Sequence, residues 1–65
     1  MSWSGTRAYY AEKAGKFYSF ESISQRNDAV KNHGMEVVPS HDIYKYRIKY
    51  TKITKDQYDR VIDKL

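Results

Sequence analysis

The stretch that decides the predicted fold is residues 43–53, Ile-Tyr-Lys-Tyr-Arg-Ile-Lys-Tyr-Thr-Lys-Ile. Its side chains alternate: one set is Tyr44, Tyr46, Ile48 and Tyr50, and the other is Lys45, Arg47 and Lys49. A period of two is typical of a β-strand with one face in the core and the other in water. The sequence therefore predicts a strand over 43–53 whose tyrosine rings are buried and whose hydroxyls reach the rim of the core.

The residues before this stretch predict a second short strand and a helix. Met35 to Val38 is a strand that Pro39 closes, and residues 40–42 form the connecting turn. The helix runs from Ser22 or Ser24 to His33. Ser22-Ile-Ser-Gln25 matches a capping box, and Gly34 fits the left-handed residue that follows a helix.

Further toward the N-terminus, the sequence predicts a hairpin. Its strands are residues 7–12 and 16–21, around a loop of residues 13–15 in which Gly15 supplies a positive φ. In this register Glu12 faces Lys16, Tyr10 faces Tyr18 and Ala8 faces Phe20, so that Tyr9 and Phe17 project from the opposite face. The competing interpretation is a helix over residues 8–14, because alanine, glutamate and lysine favour helices.

After the central stretch, the sequence predicts a C-terminal helix. Thr54-Lys-Asp-Gln57 matches a capping box, with Thr54 as the N-cap. The apolar residues that follow recur at helical spacing on one face; they are Tyr58, Val61, Ile62 and Leu65. The order of elements is then ββαββα, an α+β class: one small domain with an antiparallel sheet of three to four strands and two helices packed on one face. Residues 1–6 are expected to be a flexible N-terminus.

Composition narrows the class of function. The 65 residues leave room for one small core, and the absence of cysteine excludes disulfides and thiolate metal sites. Two histidines are too few for a zinc site, so we expect no metal and no cofactor. The sequence has no glycine-rich phosphate loop, and the neighbouring residues 40–42 cannot form a catalytic triad, so we expect no enzymatic activity. No apolar run is long enough for a membrane span or a signal peptide, so we expect a soluble, cytoplasmic protein without a membrane or small-molecule partner.

The charge is concentrated in the central stretch. Residues 43–55 hold five basic residues and no acid, which leaves −1 for the rest of a chain whose net charge is +4. If both helices cover one face of the sheet, the open face combines these cations with aromatic rings. The predicted binding residues are Lys45, Arg47, Lys49, Lys52, Tyr9, Phe17, Arg7 and Trp3. The alternative is that the cations only solvate an uncovered face.

Two hypotheses of function follow from this surface. The first is a small regulatory or inhibitory protein that docks on a larger protein, such as a nucleic-acid-handling enzyme; small proteins of bacteriophages and mobile elements often have this character. The second is direct binding of nucleic acid by residues 43–53. In this hypothesis Lys45, Arg47 and Lys49 contact phosphates, and Tyr9 and Phe17 stack on bases. The sequence does not define the oligomeric state.

Overall fold

The centre of the sheet is the hairpin formed by β1 (Tyr9–Lys13) and β2 (Lys16–Phe20) in the computed structural model, which describes residues 8–65. The hairpin is confirmed, but its register differs from the predicted one by one residue. Lys13 pairs with Lys16 and Tyr9 with Phe20, so the loop has two residues. Both loop residues have a positive φ, 53° at Ala14 and 79° at Gly15, as a type I′ turn requires.

The register shift exchanges the two faces of β1. Tyr9 and Ala11 lie on the same face as Tyr18 and Phe20, whereas Tyr10 lies on the opposite face. The prediction that Tyr9 shares a face with Phe17 is therefore wrong. The physical reason is that side chains alternate along a strand, so a slip of one residue in one partner inverts every side chain of that partner.

The first helix, α1 (Ile23–Asn32), agrees with the prediction. Gly34 follows it with a φ of 72°, and the N–H of Met35 donates to the carbonyl of Ala29 at 3.3 Å. The predicted capping box at Ser22 does not form, because its side chain makes no capping hydrogen bond. The chain then enters β3 (Glu36–Val38), which pairs antiparallel with β1.

The prediction of a strand over residues 43–53 is wrong. The chain instead forms the helix α2 (Ser40–Lys45), a turn, and the short strand β4 (Thr51–Ile53). β4 pairs in parallel with β2, which makes the sheet mixed rather than wholly antiparallel. Among the described residues the sheet has the order β3-β1-β2-β4, and the α+β class is confirmed.

The predicted C-terminal helix is present as α3 (Tyr58–Val61) followed by a 3₁₀ turn (Ile62–Lys64). The capping box at Thr54 forms in both directions. The N–H of Gln57 donates to Thr54 Oγ1 and the N–H of Thr54 donates to Gln57 Oε1, each at 3.2 Å. Tyr58 and Ile62 are buried, which confirms the apolar face.

The core lies on both faces of the sheet, in unequal parts. The main cluster packs α1 and α3 on one face, as predicted; its buried members are Ala11, Tyr18, Phe20, Ala29, Met35, Ile53, Tyr58 and Ile62. A smaller cluster on the other face consists of buried Tyr10, Val38 and Ile43, with Phe17 and Ile48 packed against it. The face expected to be open is therefore partly covered by α2.

Candidate macromolecule-binding surface

α2 overlaps the predicted strand. It forms because local signals for a helix outweigh the alternation of tyrosines and basic residues. Pro39 is the N-cap, and Asp42 lies in the first turn, where a negative charge favours the helix dipole. Arg47 ends the helix in the left-handed conformation with a φ of 52°, and the N–H of Ile48 donates to the carbonyl of Ile43 at 3.1 Å. This hydrogen bond and the packing of both isoleucines in the smaller cluster define a Schellman motif.

The course of the chain through α2 and the turn after it exposes the tyrosines that were predicted to lie in the core. Tyr44 is 75% exposed, Tyr46 is 64% exposed and Tyr50 is 45% exposed. The core prediction is wrong because the residues that α2 and its following turn bury are Ile43 and, in part, Ile48. The tyrosine rings consequently face solvent beside the basic residues.

The cations of this segment are not neutralised by the described residues. Lys45, Arg47, Lys49 and Lys52 are all exposed. Within residues 8–65, no carboxylate lies within salt-bridge distance of any of them. The Nζ of Lys45 lies 5.3 Å from the centroid of the Tyr46 ring, a cation–π contact. We call these four cations, together with Lys16 and the tyrosines at 44 and 50, the basic tyrosine surface.

Among the described residues, Tyr50 lines two depressions on this surface. The first has a volume of about 310 Å³ and lies against the hairpin, between Lys16, Phe17 and Lys49. The second has a volume of about 230 Å³; its lining includes Tyr10, Ser19, Glu21, Tyr44 and Lys52. Each depression therefore combines aromatic walls with at least one ammonium group.

Buried Tyr10 anchors Tyr50 from below. Their rings meet edge to face, with centroids 5.1 Å apart and planes at 74°. Burial, followed by the neighbouring Tyr50 and Tyr44 hydroxyls, raises the pKa of Tyr10 to about 12. The Tyr10 hydroxyl therefore keeps its proton to a higher pH than an ordinary tyrosine does.

The structure brings together part of the predicted site. Phe17 and Lys49 line the first depression, and Lys52 lines the second. Tyr9 lies on the other face, where it packs against the main cluster and the guanidinium of Arg26 lies 5.9 Å from its ring centroid. The register shift thus places Tyr9 on the face opposite the basic tyrosine surface.

Lys45 and Arg47 remain exposed, but at the end of α2 and in the turn after it rather than along a strand. Two further predicted binding residues, Arg7 and Trp3, lie outside the described residues, as does the proposed flexible segment 1–6. The contribution of Lys16 was missed because Lys16 and Lys49 line the same depression only when β2 pairs with β4, and the predicted antiparallel sheet did not contain this pairing.

No group of three potential metal ligands occurs within the part of the chain that the structure describes. In the same residues, no helix has the length and apolar character that a transmembrane span requires. Comparison of the chain with protein-family models, with curated proteins and with solved structures finds no match. The basic tyrosine surface is therefore the feature from which a function can be inferred.

Proposed function

We propose that the chain is a non-enzymatic regulatory protein that docks on a larger acidic macromolecule through the basic tyrosine surface. The observation that carries the proposal is the combination of exposed tyrosines with exposed cations that have no carboxylate partner among residues 8–65. Tyrosine supplies contact area at low entropic cost, and unpaired cations attract an acidic partner over distance.

The backbone at Arg47 supports the same proposal. Its φ of 52° lies in the region where glycine is the usual residue after a helix. A bulky side chain in this conformation costs about 1 to 2 kcal/mol. Residues that break a local structural rule in this way are often those with a functional role. Position 47 thus has a charged arginine where glycine would suit the fold best.

A charge-reversal experiment tests the proposal. We expect Lys45→Glu/Lys49→Glu/Lys52→Glu to weaken binding to labelled polyanions, both nucleic acids and polyglutamate, by about tenfold or more at low salt. The matched control reverses three exposed cations of α1 and the C-terminal segment, Lys31→Glu/Arg60→Glu/Lys64→Glu, and has the same net charge. Fluorescence anisotropy measures both variants.

Equal losses in the two variants would show attraction by net charge alone and would contradict the proposed surface. Absence of binding to every polyanion at low salt would contradict an acidic partner. Turnover of a peptide or nucleic acid by the purified chain would contradict the non-enzymatic part of the proposal.

A further inference from the structure

Each of the two depressions beside Tyr50 has enough volume for a single aromatic ring. Their volumes are about 310 and 230 Å³. A cavity of about 150 Å³ is enough to hold benzene. Tyr50 lines both, so a ring in one depression and a ring in the other would contact the same tyrosine. A ligand with flat groups at regular intervals fits this arrangement.

The Tyr50 ring is held in place and remains accessible. Its edge-to-face contact with buried Tyr10 restrains the ring, while 45% of the residue is exposed. A ring that is already positioned loses little conformational entropy when a partner stacks on it. Tyr46, by contrast, is exposed and lines neither depression.

The charges beside the rings indicate which partner fits. Lys16 and Lys49 border the first depression. Lys52 borders the second together with Glu21, whose carboxylate accepts a hydrogen bond from the backbone N–H of Lys55. Lysine is depleted in protein–protein interfaces but is a common contact of phosphate groups. An acidic protein would satisfy the lysines and leave the aromatic-lined depressions unexplained, whereas a nucleic acid with unpaired bases satisfies both. Duplexes keep their bases stacked inside and present only phosphates to such a surface.

We infer that the partner is single-stranded nucleic acid, with Tyr50 as the stacking platform between two base sites and Lys16, Lys49 and Lys52 as phosphate contacts. This inference rests on the proposed function and names its partner class. Modest affinity follows from the small number of contacts, and the logarithm of the affinity should fall with the logarithm of salt concentration at a slope of about −2.

The test uses labelled oligonucleotides of about ten nucleotides, a length typical of such sites, as oligothymidine, as oligouridine and as a duplex of equal length. We expect the single strands to bind about tenfold or more tightly than the duplex and than polyglutamate. Tyr50→Leu should weaken single-strand binding by about tenfold, whereas Tyr50→Phe, which keeps the ring, should change it by less than about twofold. Comparison of oligothymidine with oligouridine shows whether the protein prefers DNA or RNA.

Tyr46→Leu is the matched control, since it removes an exposed tyrosine outside the depressions. Equal losses for Tyr46→Leu and Tyr50→Leu would overturn the stacking site. Binding that survives Tyr50→Leu but is lost on charge reversal would overturn the inference while leaving the proposed function intact. Equal affinity for duplex, single strand and polyglutamate would do the same.

A measurement on the unaltered protein guards against loss of folding in the variants. Titration of the isotope-labelled protein with the single strand should shift the amide resonances of Phe17, Ser19 and Thr51, which line the depressions. Shifts confined to α1 and α3 would overturn the inference.

Discussion

The two faces of the sheet differ in how much of the chain they bury. On the face of α1 and α3, eight buried residues form one cluster, whereas α2 contributes to a cluster with three buried residues on the other face. A periodic pattern of apolar residues predicts secondary structure correctly where those residues are buried in the core. In residues 43–53 the alternating tyrosines and lysines are largely exposed, so no core enforced their pattern.

The largest effect is expected on the face of α1 and α3. Phe20 is 1% exposed and packs edge to face with Tyr58, their ring centroids 5.9 Å apart. Phe20→Ala should cost about 3 to 5 kcal/mol, which is comparable to the total stability of so small a domain. We expect the variant to be unfolded at room temperature in circular dichroism spectra, while Phe20→Leu remains folded. If Phe20→Ala unfolds cooperatively near the wild-type midpoint, the face of α1 and α3 does not contribute most of the stability.

A smaller and more local effect is expected from Ile43→Ala. Ile43 is the buried residue of α2, and its cluster is small enough to collapse around the change. We expect a loss of about 2 kcal/mol and faster amide hydrogen exchange in residues 40–48, while the hairpin remains protected. Uniformly faster exchange throughout the domain would show that the two faces unfold as one unit.

Arg47→Gly should separate stability from binding. Relief of the left-handed conformation should stabilise the protein by about 0.5 to 1 kcal/mol, a rise in the melting temperature of several degrees. Loss of the charge should weaken polyanion binding several-fold. Ala14→Gly is the control, because it relieves the same conformation at a φ of 53° in the hairpin loop without removing a charge. A stabilised Arg47→Gly variant with unchanged binding would remove Arg47 from the surface.

The smallest effect concerns the contact between α1 and α3. Asp28 Oδ2 accepts a hydrogen bond from the Tyr58 hydroxyl at 2.6 Å, and Oδ1 accepts one from Asn32 Nδ2 at 2.6 Å. These bonds, and next the charge of His33, hold the pKa of Asp28 below its usual value. Because the pKa is lower in the folded state, the carboxylate stabilises the fold above a pH of about 4 and loses this effect as the pH falls through the folded-state pKa.

Asp28→Asn should therefore flatten the acid side of the stability curve measured by urea unfolding at several pH values. An identical acid dependence in the variant and in the wild type would show that other carboxylates account for the acid response.

The elements that the sequence predicted well carry local signals that the structure uses. The capping box joins Thr54 to Gln57, three residues away, and Gly34 adopts its left-handed conformation directly after α1. Both signals depend on neighbouring residues and not on the tertiary fold. The hairpin register was predicted wrongly because Ala14 adopts a positive φ, a conformation that asparagine or glycine usually supplies in such a turn.

The binding surface could be predicted from the sequence only in its composition. The concentration of cations and tyrosines in residues 43–52 is visible in the sequence, but their arrangement depends on α2 and on the parallel pairing of β4 with β2. Pro39 before a short polar stretch, and the pair Ile43 and Ile48 at the spacing of a Schellman motif, are the signals that could have indicated the helix.

The parallel pairing of β4 with β2 also bears on how the chain reaches its native state. Tyr18 pairs with Thr51 and Phe20 with Ile53, each across 33 positions of sequence. The hairpin and the capped C-terminal turn close over a few residues, and such short loops form faster than a long-range pair. We expect the docking of β4 to be the late, rate-limiting event of folding. Until it occurs, the outer edge of β2 offers unpaired backbone groups to other chains, and an excess of a peptide with the β4 sequence should slow refolding by competing for that edge.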